Sequence, residues 1–158
     1  MTRIHIAALI VLVGAIPAAT AGSFFASNDK PCFIAGAAGY RISHSAAADV
    51  TVRIDNTAAQ PNLRMQLVDD SAAADFVLVD DTDTVNACAG IAAVKSIRLD
   101  PAAANADLTV SLSRAPAAYK IYVRSASFSQ QDAAALFAVI WQTARKTADS
   151  GREFAARN

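Results

Sequence analysis

The chain has little with which to do chemistry. Its 158 residues include two cysteines, two histidines, one tryptophan and a single glutamate, Glu153. There is no C-x-x-C spacing, and only His44 lies beyond the N-terminal leader described below, so a zinc site is poorly supported. Neither a G-x-S-x-G nucleophile elbow nor a phosphate-binding loop is present. A Ser–His–Asp arrangement would have to be built on His44, beside Ser43 and Ser45, and all three groups would have to meet in the fold. The plainer expectation is a solvent-facing histidine in a turn. Charge of neither sign dominates: fourteen basic residues face fourteen acidic ones, and the pI lies near 6.7. That balance leaves no electrostatic footprint for nucleic acid or an anionic membrane. Glycine is sparse, and the pair in GAAGY (Gly36 to Tyr40) reads as a bend before a strand.

What the chain has in quantity is alanine, at 38 positions, so the 54% hydrophobic content overstates its large apolar surface. Arginine outnumbers lysine and aspartate almost replaces glutamate, the bias that a GC-rich genome produces. The N-terminus carries the most specific signal. A basic start at Arg3 leads into an apolar run from Ile6 to Ile16, which Pro17 breaks. Ala19-Thr20-Ala21 then supplies the small-x-small pattern of signal peptidase, with cleavage expected between Ala21 and Gly22. The run is shorter than the roughly 20 residues needed to span a bilayer. An uncleaved anchor is the rival reading. The expected organisation is a signal peptide over 1–21, an irregular segment over 22–39, a single domain over 40–148 and a frayed tail over 149–158.

Export gives the two cysteines a meaning. In an oxidising compartment a lone pair, Cys32 and Cys88, most simply forms one disulfide. Two free buried thiols, or half of a metal site, are the alternatives.

The five residues SAAAD occur twice, at Ser45 to Asp49 and Ser71 to Asp75, and a looser copy runs from Ala102 to Asp107. Each copy follows a strand-like stretch (YRIS, LRMQLV, VKSIRL) and leads into another (VTVRI, FVLV, LTVSL). The uneven spacing excludes a solenoid. The unit reads as one local means of joining two strands: a capping Ser or Asp, an Ala-rich helical turn, an Asp and then a strand. Val50, Val52 and Ile54 alternate with Thr51 and Arg53, as a half-buried strand requires. Leu63, Met65 and Leu67 behave alike, as do Leu108, Val110 and Leu112, and Tyr119, Ile121 and Val123. Phe76 to Val79 is apolar throughout and is expected to be central, covered on both faces. The links are too short for ordinary parallel crossovers, so an antiparallel or mixed sheet is expected.

Ser129 and Asp132 have the spacing of a helix cap. Ala133, Leu136, Phe137, Ile140, Trp141 and Ala144 follow at helical period, Arg145 and Lys146 sit near the C-terminal end, and Asp149-Ser150-Gly151 is the expected stop. The fold class is therefore α/β (α+β), a largely antiparallel or mixed sheet of about six strands covered by one long C-terminal helix, with short Ala-rich helical turns between strands.

Asp69, Asp70, Asp75, Asp80, Asp81 and Asp83 are clustered in sequence, but the stretch lacks the glycine and terminal glutamate of a calcium loop. If 63–68 and 76–80 paired as antiparallel strands, these carboxylates would separate to opposite strand ends as turn and cap residues. The stretches LRMQLVDDSAAADFVLVDD and YKIYVRSASFSQQDAAALFAVIW resemble small, uncharacterised exported proteins of GC-rich Gram-negative bacteria. ADFVLVD resembles strand-turn-strand pieces of envelope α/β domains. The resemblance implies export to the periplasm or beyond and an α/β fold, and it assigns no activity or site residue. The expected function is that of an exported, non-enzymatic domain binding a protein or envelope partner. It calls for no cofactor, no nucleic acid and no membrane span after leader removal. The alternative is a small hydrolase or ligand-binding protein with a site near His44 or the Asp69 to Asp83 stretch.

Overall fold

The structure is a computed structural model that describes residues 32–79, 88 and 90–156, with side chains in the last helix described to residue 148. The expected signal peptide over 1–21, its expected cleavage site and Asp80, Asp81 and Asp83 lie outside the described residues. Eight strands form one mixed sheet: β1 (Phe33–Ala35), β2 (Ala38–Ile42), β3 (Val50–Ile54), β4 (Leu63–Leu67), β5 (Phe76–Val79), β6 (Val94–Leu99), β7 (Leu108–Ser113) and β8 (Tyr119–Arg124). One helix, α1 (Gln130–Ala156), follows. The sheet order is β1-β2-β6-β3-β7-β4-β8-β5. It curls into a half-barrel, so that Phe33 of the first strand and Phe76 of the last bring their rings to 5.7 Å.

Only β1 and β2 are antiparallel; the six other pairings are parallel. The sheet is thus mixed, one of the two expected alternatives, but it has eight strands rather than about six and is mostly parallel rather than largely antiparallel; the register explains why short links suffice. Ile97 of β6 is flanked by Ile42, near the end of the preceding strand, and by Val50, the start of the next. The same arrangement recurs at Val52 between Leu99 and Leu108, and at Val110 between Ile54 and Leu63. It recurs again at Met65 between Leu112 and Tyr119, and at Ile121 between Leu67 and Phe76. Each link leaves on one side of a central residue and re-enters on the other at the same level. None of these five links travels back down a strand, so each spans only two interstrand spacings, about 10 Å. Five to eight residues cover that distance easily. All five central residues are at most 1% exposed.

The Asp of the repeated motif fastens these crossings. Asp49 accepts from the backbone N–H and hydroxyl of Ser96, both at 2.7 Å. Asp107 accepts from the N–H of Thr51, and Asp75 from that of Lys120, again at 2.7 Å. Asn62, in a link without the motif, does the same for Thr109. In every case the donor immediately precedes a central residue. The start of each link is shaped similarly: Asp55, Asp70 and Asp100 each accept from an N–H two residues on, as do the hydroxyls of Ser43, Ser113 and Ser125. Such turns end strands without needing glycine. Of the Ala-rich links only Ser71–Ala73 is helical, a single 3-10 turn capped by Asp70. The others are plain turns.

The irregular segment expected over 22–39 is replaced, from Phe33 on, by β1 and the start of β2, joined through Gly36 at φ +61°. The positive φ is what a two-residue hairpin turn needs. Cys32 and Cys88 lie at disulfide distance, with Cα atoms 5.7 Å apart. Helix α1 begins with reciprocal bonds between Ser129 and Asp132 and packs against β2, β3, β6, β7 and β8. Ala133, Ala134, Ala135 and Ala138 are fully buried beside Leu136 and Val139, and these small residues let the helix sit close inside the curl. Ala144, expected on the buried stripe, is exposed. The helix also continues through Gly151 to Ala156 rather than fraying at 149, since one glycine costs only about 1 kcal/mol against alanine.

Candidate functional site

His44 is exposed in the link between β2 and β3. Its neighbours Ser43 and Ser45 turn their hydroxyl oxygens to the backbone N–H groups of Ser45 and Ala47. Among the described residues no hydrogen bond joins His44 to either serine or to an aspartate. The acidic stretch is divided among separate structural tasks. Asp69 pairs with Arg114 at 2.7 Å, Asp70 caps the 3-10 turn and Asp75 holds Lys120. The hydrogen bond and charge of Arg114 hold the Asp69 carboxyl below its usual range. Among the described residues no three His, Cys, Asp or Glu side chains converge as metal ligands, and no helix is long and apolar enough to cross a membrane.

Two other places on the molecule stand out. The first is β5, whose FVLV sequence suggested a central strand. It lies instead at the end of the sheet order, paired only with β8 among the described residues. Phe76 and Leu78 face the core, whereas Val77 and Val79 are 45% and 44% exposed on the opposite face. Their cross-strand partners there are Tyr122 and Arg124. The strand carries apolar residues on both faces but has only one neighbour, a combination that soluble folds avoid by placing charge or proline on the edge.

The second is a hollow of about 350 Å³ between β6 and α1, with Asp49, Lys95, Gln142, Thr143 and Lys146 in its wall and Val50 and Val139 among its apolar lining. Lys95 is opposite Tyr40 in the register and so belongs to the helix-facing side of the sheet. Its Nζ donates to Thr143 Oγ1 at 3.3 Å. Thr143 in turn donates to the Val139 carbonyl. A smaller hollow of about 300 Å³ adjoins it, sharing Gln142 and Lys146 and adding Asn62 and Arg145. The Arg145 guanidinium lies 4.8 Å from the centre of the Trp141 ring, and Trp141 Nε1 donates to the Tyr119 hydroxyl at 2.8 Å. The sequence marks Phe76 to Val79 as a central strand and neither place as a functional site, though a signal for Lys95 exists: in VKSIRL it is in phase with Ile97 and Leu99, a lysine on the apolar side of its strand. Comparison with protein families, curated proteins and solved structures finds no match to this chain.

Proposed function

We propose that the chain is an exported domain that binds a protein partner, non-enzymatically, by accepting an extended segment of that partner along the edge of β5 that has no partner strand among the described residues. One observation carries the reading: a wholly apolar strand ends the sheet, with Val77 and Val79 nearly half exposed. An added strand would satisfy the edge N–H and C=O groups and cover both valines, the mode of recognition known as β-augmentation. The matching segment alternates apolar residues, to cover Val77, Val79 and Tyr122, and carries an acid to face Arg124. Export is supported by the leader pattern of residues 1–21 and by the Cys32–Cys88 pair, which suits an oxidising compartment.

The test is site-directed photocross-linking in the native envelope, with the probe at position 77 and a control probe at exposed Gln131. A partner joined from 77 but not from 131, and lost in the Val79→Lys protein at unchanged melting temperature, is the expected result. Cross-links confined to a second copy of the chain would make the edge a dimer seam instead. Equal cross-linking from both positions, or indifference to Val79→Lys, would overturn the reading. Intact mass of the exported protein, expected to begin at Gly22, checks the export half.

A further inference from the structure

We infer that the hollow between β6 and α1 is a binding site for a small oxyanion, a phosphate or carboxylate group, with Lys95 as its principal ligand. This inference is independent of the β5 reading. The helix-facing side of the sheet is otherwise built from rows of apolar residues, and a lysine there must be compensated or used. Lys95 Nζ meets one neutral partner, the Thr143 hydroxyl at 3.3 Å. That hydroxyl has its own proton on the Val139 carbonyl at 2.8 Å, so it accepts from the ammonium and leaves the other ammonium protons to point elsewhere. The one acid in the wall, Asp49, lies near enough to feel the Lys95 charge, but among the described residues no hydrogen bond joins the two, and its Oδ2 atom is taken up by Ser96 N–H and Oγ, both at 2.7 Å. Gln142 and Lys146 stand on the same wall. Charge-assisted bonds to an oxyanion are about twice as strong as neutral ones. A volume of about 350 Å³ suits a small molecule rather than a macromolecule.

The probes are inorganic phosphate and succinate, each titrated at constant ionic strength against sodium chloride, with backbone amide shifts read by NMR. Saturable shifts confined to residues 94–96 and 139–146 are expected. Phosphate alone, succinate alone or both acting would each support the site and identify the oxyanion it takes. Lys95→Met should weaken binding about tenfold or more, the effect of losing one charged hydrogen bond. Thr143→Val, which keeps the charge and frees the ammonium from its one hydroxyl partner, provides a second variant if Lys95→Met folds poorly, and it should strengthen binding while leaving distant amide shifts in place. Shifts no different from those in chloride, binding that survives undiminished in Lys95→Met, or binding that does not strengthen in Thr143→Val, would overturn the inference.

Discussion

At the scale of single residues, the fold depends on carboxylates and amides that look unremarkable in sequence. Asp107 is exposed, yet it brackets Thr51, accepting from its N–H at 2.7 Å and donating its own N–H to the Thr51 carbonyl at 2.9 Å. Asp107→Ala should lower unfolding free energy by about 1 kcal/mol, the net value of such a bond. Ala102→Ser, in the same link, should do almost nothing; urea denaturation distinguishes the two. Acid should act through the same class of group. The hydroxyl of Ser96, then its N–H, holds the Asp49 carboxyl below the ordinary value of 3.8. The hydroxyl of Thr57, then its N–H, does so for Asp55. A carboxyl whose pKa is depressed in the folded state stabilises fully above its unfolded pKa, and that contribution is lost as pH falls through the lower folded value. Stability should therefore hold from neutral pH to about pH 4 and fall below it. Asp49→Asn should flatten part of that fall in a melting series from pH 6 to pH 2.5; an unchanged acid limb would show that these bonds do not couple to folding.

At the scale of elements, Gly39 shows how the terminal hairpin is held. A Cβ built there would lie 2.5 Å from Cys88 Sγ and 3.4 Å from Cys32 Sγ, so the sulfurs occupy the space a side chain would need. Gly39→Ala should destabilise the oxidised protein and cost less in a Cys32→Ser/Cys88→Ser background, a coupling that a double-mutant cycle measures. Removing the bridge, which closes a sequence separation of 56 residues, should itself cost about 2–5 kcal/mol. It should also expose the stretch before Tyr40 to protease first, since β1 has three residues and, among the described residues, pairs only with β2. Much at this scale was legible in the sequence. Alternation located Val52, Met65, Val110 and Ile121 on the buried face, and the Ser129–Asp132 spacing located the start of α1. The pairing was not legible, because short links imply antiparallel neighbours only if consecutive strands are neighbours. Here each consecutive pair from β2 to β5 and from β6 to β8 is separated by a strand from the other set. The same interleaving put β5 at the edge although FVLV has the composition of a centre, and it left the hollow around Lys95 unreadable, since its walls come from positions 49, 95 and 139–146.

At the scale of the whole molecule, the interleaving has a mechanical consequence. All six parallel pairings join a strand from the first half, β2 to β5, to one from the second, β6 to β8. Among the described residues the only ladder within the first half is the short β1–β2 hairpin, and within the second half there is none. Each half thus exposes strands whose hydrogen-bonding partners are all in the other, and α1 packs on strands of both. An isolated hairpin is marginal in water, and lone strands do not form. Neither half should hold a sheet by itself, and formation of the first parallel pair should require closure of a long loop, which makes folding slow for a chain of this size. The check is a protease site inserted within 80–87. Cleavage of the oxidised protein should leave two chains joined through Cys32 and Cys88 that keep the far-ultraviolet spectrum of the intact domain. Reduction and separation should give two fragments without strand signal, and mixing them in equal amounts should restore it. A fragment that kept a cooperative melting transition alone would show that its strands have partners within its own half, contrary to the interleaved order.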